Sequence, residues 1–366
     1  MDLMTACTTP LQLKSKYQGF AAPTARVLVG GKDLGAKYGT GFADLTVDLT
    51  SGCEASGCSF DVVGEYDPAQ SEFSPRGAAA VLQLGAKVEI QLGYVNTETV
   101  FCGLIAAVSY EFPEDGAPYL HVECMDPKCL LMKNWHLEVR SEKKVSALVR
   151  ELLSSAPLSA YVGKKSVQLG REDAVPLLMG SGSDYDFLVQ QAQYFGCEFF
   201  FVRGDAYFRP VPSAAPPIMT LTPRDGIFSA SMSLQGTPLV QTVAVTGVDP
   251  QSDKAVSGSA ALHGRFGSGS APRRMLNSTR RDLFDARVTS TAQAQRRAQV
   301  LLDGLQQQFG QLQVTCRGLP EIVPGRYIQI RGLCRTARGS FYITRVRHAL
   351  SGSGFTTTFD ARMASL

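Results

Sequence analysis

The residues of this chain that could bind a metal or act as a general base are few. Four histidines occur in 366 residues, namely His121, His136, His263 and His348. None has a second histidine four positions away, the spacing that sets two imidazoles on one helix face around a zinc ion. His121 and His348 lie in strand-like segments. We therefore predict no metal site and interpret these two side chains as structural.

The nine cysteines do not form a zinc pattern either. Cys53 and Cys58 are separated by four residues, as are Cys124 and Cys129, whereas structural zinc sites use closer pairs or histidine partners. Several cysteines, such as Cys102, Cys124 and Cys316, fall in apolar strand patterns and are typical of small buried hydrophobic residues. We expect reduced thiols in a protein made in the cytosol.

The acidic and glycine-rich segments give no catalytic constellation. A general acid–base pair needs a cleft and one raised pKa, and the pair Glu111 and Glu114 indicates neither. Asp184 and Asp186 are explained by a helix N-terminus, which favours negative charge. Residues 180–183 precede a helix as a phosphate loop does, but they lack its lysine. We predict no enzymatic activity and no cofactor.

One arginine-rich segment is a candidate for contact with a partner. The range 249–283 is rich in Gly, Ser and Arg, which predicts a long exposed loop. Its arginines are Arg265, Arg273, Arg274, Arg280 and Arg281. They could contact nucleic acid or an acidic protein surface, although a formal net charge of +3 does not by itself indicate nucleic-acid binding. A solvated loop is the alternative interpretation.

A capped helix followed by an aromatic strand is predicted from Ser183 onward. Ser183 and Asp186 make a short-acid form of the capping box, and Gly196 has the position of a left-handed C-cap. The apolar residues at helical spacing are Tyr185, Leu188, Val189, Ala192 and Phe195. The range 197–202 is a strand candidate, and a turn at 203–205 makes it a hairpin. Alone, this is an ordinary helix–hairpin unit.

Most of the remaining chain is predicted to be strand. Val88, Ile90 and Leu92 alternate with polar residues, as in a half-buried strand. We expect these three, with Ile328 and Ile330, in the core, and we expect the following to face outward: Lys87, Glu89, Gln91, Gln329 and Arg331. Further helices are predicted over 143–153 and 291–305. The fold class is α+β, mainly β, and we expect the strand candidates 227–234 and 239–248 to pair.

The two ends of the chain contain similar segments. Residues 85–90 parallel residues 325–330, and residues 105–110 parallel residues 343–348, in the same order and at similar spacing. The sequence therefore raises the hypothesis of two related small β-barrels. The alternative is that any two antiparallel meanders look alike.

The N-terminus carries no basic segment followed by an apolar one, and no apolar run approaches the roughly 18 residues of a membrane span. We therefore expect no signal peptide and no membrane insertion.

Six segments, in order, resemble a known family of contractile-tail baseplate hub proteins. The family comprises phage late control protein D and the hub domain of the valine-glycine-repeat spike proteins of type VI secretion. The resemblance lies in residues 183–201, in 100–105, in 123–126, in 240–258, in 318–325 and in 347–359. The residues that carry these motifs are Phe101, Gly103, Asp126, Ser183, Asp184, Phe187, Leu188, Gly196, Phe199, Phe201, Pro320, Pro324, Gly325 and His348.

The resemblance implies two small β-barrels with a helix–hairpin insertion between them, dividing the chain into 1–24, 25–135, 136–225 and 226–366. It implies a homotrimer with pseudo-sixfold symmetry that joins a trimeric spike to a hexameric tail tube. Tape measure and baseplate wedge proteins are the further partners that it implies. Because the chain ends at Leu366 without a spike domain, we expect the spike to be a separate chain. The protein would be made in the bacterial cytoplasm and assembled into the baseplate of a phage tail, tailocin or related particle.

Two other functions stay open. An envelope-acting hydrolase or carbohydrate-binding tail protein would need paired carboxylates or exposed aromatics, and the single tryptophan, Trp135, argues against it. A nucleic-acid-binding module would use the arginine-rich segment, and the low net charge disfavours it.

Overall fold

The computed structural model describes residues 4–64, 66–73, 78–172, 175–213, 215–262, 274–334 and 339–363. The helices of these residues are α1 (Pro10–Lys16), α2 (Leu34–Tyr38), α3 (Ala78–Val81), α4 (Lys128–Leu131), α5 (Val145–Leu152), α6 (Asp184–Phe195) and α7 (Thr291–Gln306). None of them is both long enough and apolar enough to cross a bilayer.

The first part of the chain, up to Met125, contains nine strands and three short α-helices among the described residues. Its strands are β1 (Thr24–Val29), β2 (Lys32–Asp33), β3 (Gly41–Thr50), β4 (Gly57–Val63), β5 (Tyr66–Asp67), β6 (Glu72–Phe73), β7 (Lys87–Gly93), β8 (Thr97–Glu111) and β9 (Tyr119–Met125). All but β5 and β6 belong to one sheet, in which β3, β4, β9, β8 and β7 are successive neighbours. The tight turn between β1 and β2 has Gly30 and Gly31 at positive φ.

The middle of the chain is a mixed insertion. Its strands are β10 (Trp135–Lys143), β11 (Lys165–Val167), β12 (Val175–Ser183), β13 (Cys197–Val202), β14 (Asp205–Pro210) and β15 (Thr220–Leu221). The antiparallel pair β10–β12 is separate from the small sheet β11–β14–β13. This unit has its own apolar core, which contains Phe187, Leu188, Phe199 and Phe201.

The second half returns to strand. Its strands are β16 (Ile227–Leu234), β17 (Thr242–Asp249), β18 (Lys254–Ala261), β19 (Arg280–Phe284), β20 (Gly310–Arg317), β21 (Tyr327–Ile330), β22 (Gly339–Ser351) and β23 (Gly354–Met363). In the main sheet β16, β20, β23, β22 and β21 are successive neighbours. The fold is thus α+β and mainly β, as the sequence predicts.

The internal duplication is present in the strand connections and in individual hydrogen bonds. The pairings β3–β4–β9–β8–β7 of the first half recur as β16–β20–β23–β22–β21 in the second. The amide of Gly85 donates to the carbonyl of Ile105 (2.9 Å), and the amide of Gly325 donates to the carbonyl of Ile343 (2.9 Å). Both glycines have φ near +80°, and both isoleucines directly precede a bulge. Two generic meanders would not share these local features.

The two halves are not separate closed barrels. Among the described residues the strand pairings form an open path, and β3 of the first half pairs with β22 of the second. Both halves consequently share one 13-stranded sheet and one apolar core. The two small related units that were expected are thus joined through one continuous sheet and do not close as barrels, because an unpaired strand edge is satisfied most directly by another strand.

The predicted register of the central strands is confirmed. Val88, Ile90 and Leu92 are fully buried, as are Ile328 and Ile330. The side chains between them are exposed or half-buried, at positions 87, 89, 91, 329 and 331. A shift by one residue would have exchanged the two sets.

Helix α6 begins and ends as predicted, but its buried face is rotated. Ser183 and Asp186 form the reciprocal capping box, and Gly196 ends the helix at φ +65°. The buried positions are Asp184, Phe187, Leu188 and Ala192, whereas Tyr185, Val189 and Phe195 are half-buried. The helix therefore turns the side of Phe187 inward, toward the aromatic strand β13.

The prediction of a long exposed loop over 249–283 is wrong for residues 249–262 and 274–283, while residues 263–273 lie outside the described residues. Strand β18 pairs with β17 along its whole length, and β19 pairs with β17 on the other side. Helix α7 covers this three-stranded sheet through a third apolar core. The predicted pairing of 227–234 with 239–248 is also wrong, because β16 pairs with β20 instead. Gly, Ala and Ser make up six of the eight residues of β18, and the low strand propensity of Gly and Ala hid it.

Candidate functional site

A buried carboxylate joins the three parts of the chain. Glu198 of β13 accepts hydrogen bonds from the hydroxyls of Ser51 (2.8 Å), which follows β3, and Tyr342, in β22. Arg362 of β23 lies 3.6 Å from the same carboxylate. Burial raises the pKa of Glu198, against the effects of the Tyr342 hydroxyl and the Arg362 charge. Glu198 thus ties the insertion to both halves.

A second charged joint involves helix α1. Lys16 contacts Glu98 (2.8 Å) in the first half and Glu321 (2.7 Å) in the second. The Tyr17 hydroxyl donates to Glu321 (2.6 Å), and Arg203 of the insertion reaches Glu98 (3.2 Å). Burial opposes the charge on Lys16, but the hydrogen bonds to Glu321 and Glu98 outweigh it and raise its pKa. These contacts resist relative movement of the parts.

The family-like residue Asp126 organises the turn after β9. Its carboxylate accepts hydrogen bonds from the backbone amides of Ser56 (2.9 Å) and Lys128 (3.0 Å). Lys128 is fully buried, donates to the carbonyls of Gly52 and Glu54, and lies over the Phe199 ring at 5.2 Å. Burial raises the pKa of Asp126 and lowers that of Lys128, and each charge offsets part of the other's shift. Asp126 and Phe199 therefore meet through Lys128.

The segment around Pro320, Pro324 and Gly325 is buried without interruption from 318 to 328. Thr357 links this segment to His348. The Thr357 hydroxyl accepts a hydrogen bond from the Leu319 amide (2.9 Å) and shares a second one with His348 Nδ1 (2.9 Å). His348 is fully buried, and burial lowers its pKa to about 4. These motif residues form one packed unit of the second half.

The family-like glycines lie where chains approach closely. A Cβ on Gly103 would lie 2.3 Å from the Met125 carbonyl and 2.6 Å from the Phe101 ring. A Cβ on Gly325 would lie 2.6 Å from the Phe200 ring of the insertion, and one on Gly196 would lie 2.8 Å from Val300 of α7. Each of these positions excludes a side chain for reasons of packing.

Ser183 and Asp184 fix the start of α6. Ser183 caps the helix, and Asp184 is buried, with His136 Nε2 at 3.3 Å. Burial raises the pKa of Asp184 despite the opposing effect of His136. Phe187 and Leu188 pack with Phe199 and Phe201 in the insertion core. These residues support the scaffold.

The predicted arginine set is brought together only in part. Arg265 and Arg273 lie outside the described residues. Arg274 is exposed, and Arg280 and Arg281 are exposed on β19. Arg280 pairs with Asp282 at 2.6 Å, which locally neutralises its charge.

A more distinctive surface is the outer face of the β10–β12 pair, which was not predicted from the sequence. Trp135, Leu137 and Val139 of β10 are exposed by 67%, 84% and 61%, and Leu178 of β12, opposite Val139, by 64%. On the other side of β10, His136 lies 3.3 Å from the buried Asp184 and Arg140 contacts Glu151 of α5 at 3.4 Å. A strand that turns its apolar side to solvent and its polar side to the protein indicates a surface for a partner. We call these four residues the apolar face.

The described residues contain no group of three or more His, Cys, Asp or Glu side chains that could hold a metal ion. A cleft of about 1030 Å³ opens beside Glu198, lined also by Arg345, Asp360 and Arg362. The buried carboxylate of Glu198 is already bound by Ser51 and Tyr342. The arrangement suits a structural joint.

Sequence reasoning missed Glu198, Lys128, Glu321 and the apolar face. The first three are charged residues in apolar surroundings, Glu198 within the run CEFFFV, and that isolation was the available signal. The signal for β10 was the alternation of Trp135, Leu137 and Val139.

The fold is shared with tail proteins. A tail protein from Neisseria meningitidis MC58 aligns with a TM-score of 0.67 at 15% identity, covering 93% of this chain and 96% of that one. The 43 kDa tail protein of prophage MuSo2 from Shewanella oneidensis aligns with a TM-score of 0.69 at 11% identity, covering 94% and 99%. An Escherichia coli component of the type VI secretion system, structurally similar to the T4 bacteriophage tail proteins gp27 and gp5, aligns with a TM-score of 0.58 at 11% identity, covering 92% and 76%.

At these identities the likeness establishes a common fold. No curated protein sequence matches the chain. A family model described as the Alg8 N-terminal domain matches residues 25–352, which is most of the chain. The chain therefore belongs to the family of the Alg8 N-terminal domain.

Proposed function

We propose that this protein is a structural hub of a contractile injection apparatus, such as a phage tail, a tailocin or a related particle. The fold that it shares with two tail proteins and a type VI secretion component supports such a role. In this proposal the protein works by assembly, without catalysis or a cofactor. It is made in the bacterial cytoplasm and then enters the baseplate.

The observation that carries the proposal is the duplication within one sheet. Each chain contributes two equivalent five-stranded units, β3–β4–β9–β8–β7 and β16–β20–β23–β22–β21. Three chains in a ring then present six similar units, which match a sixfold tail tube on one side and a threefold spike on the other. A closed ring also uses complementary patches on every copy without leaving open contacts.

The other parts of the chain have supporting roles in this proposal. Residues 25–135 and 226–366 supply the two units, 136–225 form the bracing insertion, and 1–24 hold the parts together through α1. The apolar face of the insertion is available to a wedge, tape measure or spike protein. The exposed Arg281 of β19 offers positive charge to an acidic partner surface, whereas the charge of Arg280 is paired with Asp282.

The test is the mass of the assembled protein. Light scattering over a range of concentrations, with and without the spike protein of the same particle, should give three times the chain mass of 39.4 kDa. A protein that stays monomeric at high concentration with its spike present contradicts the proposal. Peptidoglycan turnover that disappears when one acidic residue is changed would favour an envelope-acting hydrolase instead.

A further inference from the structure

Two strand edges of this chain lack a partner among the described residues. Strand β16 ends the path of the main sheet and pairs only with β20. Strand β8 pairs with β7 only as far as Leu104, opposite Lys87. Over residues 106–111 no strand of the described residues is paired with this edge of β8. Open edges of this kind present unpaired amides and carbonyls and are sites of strand addition.

The chain contains a junction that shows how such edges fit. Strand β22 is the counterpart of β8 in the duplication, and β3 is the counterpart of β16. Beyond its pairing with β21, β22 pairs with β3, from Arg345 opposite Thr50 to Leu350 opposite Leu45. The edge that is open in β8 is thus occupied in β22, and the edge that is open in β16 is occupied in β3.

The burial of equivalent residues differs accordingly. Leu45, Val47 and Leu49 of β3 are at most 2% exposed. On β16 the equivalent Leu234 is 48% exposed, Ala230 is exposed and Met232 is half-buried. Exposure of core-facing apolar residues is unfavourable, at about 25 cal/mol for each Å². Strand β16 therefore has the apolar side chains of a strand paired on both edges, but only one of its edges is paired among the described residues.

The register follows from the paired residues. Val47 lies opposite Cys58, which lies opposite Cys124, which lies opposite Ile105. In the second half, Met232 lies opposite Leu312, which lies opposite Ala361, which lies opposite Ile343. Val47 and Met232 are therefore equivalent. Since His348 pairs with Val47, its equivalent Tyr110, five residues after Ile105, should pair with Met232.

We propose that β16 of one copy pairs antiparallel with residues 108–111 of β8 in a second copy, in the register of β3 with β22. Ser109 then lies opposite Ser233, Tyr110 opposite Met232, and Val108 opposite Leu234. This inference rests on the proposed ring and names the contact that closes it. The contact is head-to-tail, so every copy uses one β16 edge and one β8 edge.

The backbone and side chains fit this pairing. The amide of Gln235 donates to the carbonyl of Phe309 on the β20 side. Because amides alternate along a strand, those of Leu234, Met232 and Ala230 point to the open edge. Arg347 and Asp48 make an ion pair within the chain (2.8 Å). At the equivalent position the new contact brings Ser109 opposite Ser233, so no like charges meet there.

Disulfide trapping tests the register. In a background with the exposed Cys7 and Cys334 changed to serine, Ser109→Cys is combined with Ser233→Cys. This pair corresponds to Arg347 and Asp48, a non-hydrogen-bonded pair with Cα atoms about 4.5 Å apart, within disulfide range. We expect mild oxidation to give a covalent ring of three chains. The matched control, Ser109→Cys with Ser231→Cys, lies on the same face two residues away and should give at least about tenfold less.

The outcomes separate this inference from the proposed function. If light scattering gives a trimer but the disulfide forms in the control pair, or in neither pair, the proposed register is overturned and the proposed hub function is not. A ladder of products longer than three overturns the closed ring. A protein that stays monomeric with its spike present overturns both.

A second variant tests the edge without cysteines. Ala230→Pro removes an amide that points to the open edge, so an edge strand tolerates it. It should abolish the trimer while the monomer keeps its far-ultraviolet circular dichroism spectrum, and Ala230→Val, which keeps the amide, should retain the trimer. A stable trimer of the proline variant would overturn the proposed contact.

Discussion

The hydroxyl of Tyr342 donates a hydrogen bond to the carboxylate of Glu198, inside the protein, where the insertion meets the second half. Glu198 is 8% exposed, and Ser51 of the first half donates to the same group. One buried side chain thus contacts all three parts of the chain. Such buried connections would hold the parts of the proposed hub in fixed positions.

Removal of the Tyr342 hydroxyl should destabilise the protein. Tyr342→Phe leaves the buried carboxylate short of one donor, so we expect the free energy of unfolding to fall by about 1.5–3 kcal/mol. Urea unfolding followed by circular dichroism measures this. An unchanged midpoint would show that Glu198 does not depend on Tyr342.

The charge of Glu198 should give a recognisable pH dependence. Burial raises its folded pKa above the ordinary value of 4.5, so its contribution is most favourable at low pH and declines as pH rises through the folded pKa. Glu198→Gln keeps an acceptor and does not titrate. The stability of the natural protein relative to this variant should therefore decrease as the pH rises above 4.5. An increase over that range would contradict the raised pKa.

His348 should act in the opposite direction. Its pKa falls from 6.5 to about 4 on folding, so its contribution is complete above pH 6.5 and is lost as pH falls toward 4. At about 1.4 kcal/mol for each pKa unit, the loss is about 3 kcal/mol. His348→Gln, which can still bond Thr357, should remove this part of the acid sensitivity. Unfolding curves at pH 7 and pH 4.5 give the comparison, and equal acid sensitivity of both proteins would refute it.

Replacement of Gly103 and of Gly304 by alanine should have opposite effects on the free energy of unfolding. Gly103→Ala places a Cβ 2.3 Å from the Met125 carbonyl, and we expect a loss of about 1–3 kcal/mol from overpacking. A Cβ on Gly304 of α7 would have open space around it, with no neighbouring atom within 4 Å, and Gly304→Ala should add about 1 kcal/mol through helix propensity. Thermal unfolding of both variants tests the pair. A tolerated alanine at 103 would mean that β8 and β9 can separate there.

The apolar face should matter for binding and not for folding. Leu137 is 84% exposed, so Leu137→Asp should leave the thermal midpoint within about 2 °C. It should weaken association with the partner that covers this face, measured by copurification of tail components. The matched control is Leu11→Asp, which changes a leucine that is 78% exposed on α1. Equal binding by both variants would show that the face has no partner.

The sequence predicts strands and helices well where local chemistry decides. The alternation around Ile90 and the capping box at Ser183 depend only on neighbours in the chain, and both predictions are confirmed. The parallels at Gly85 and Gly325 likewise point to the duplication. Tertiary partners decide the rest. The pairing of β3 with β22 joins residues about 300 positions apart, and nothing in either strand specifies it.

The candidate site was less accessible from the sequence. Most family-like residues prove to be packing or capping residues, such as Gly103 and Asp126. The buried charges at Glu198 and Lys128 are stabilised by groups from distant segments. The orientation of β10 depends on the side of the strand on which Arg140 contacts Glu138 and Glu151. The isolated charges and the alternation in β10 are local signals, but they do not identify the distant partners.

The central claim is that each chain supplies two equivalent units to a ring. Cryo-electron microscopy of the purified assembly tests it most directly. The account predicts three chains around a central axis, with the units built on β8 and β22 alternating as six similar sectors. A ring in which the two halves of a chain lie at different radii, or an assembly with another number of chains, would contradict it.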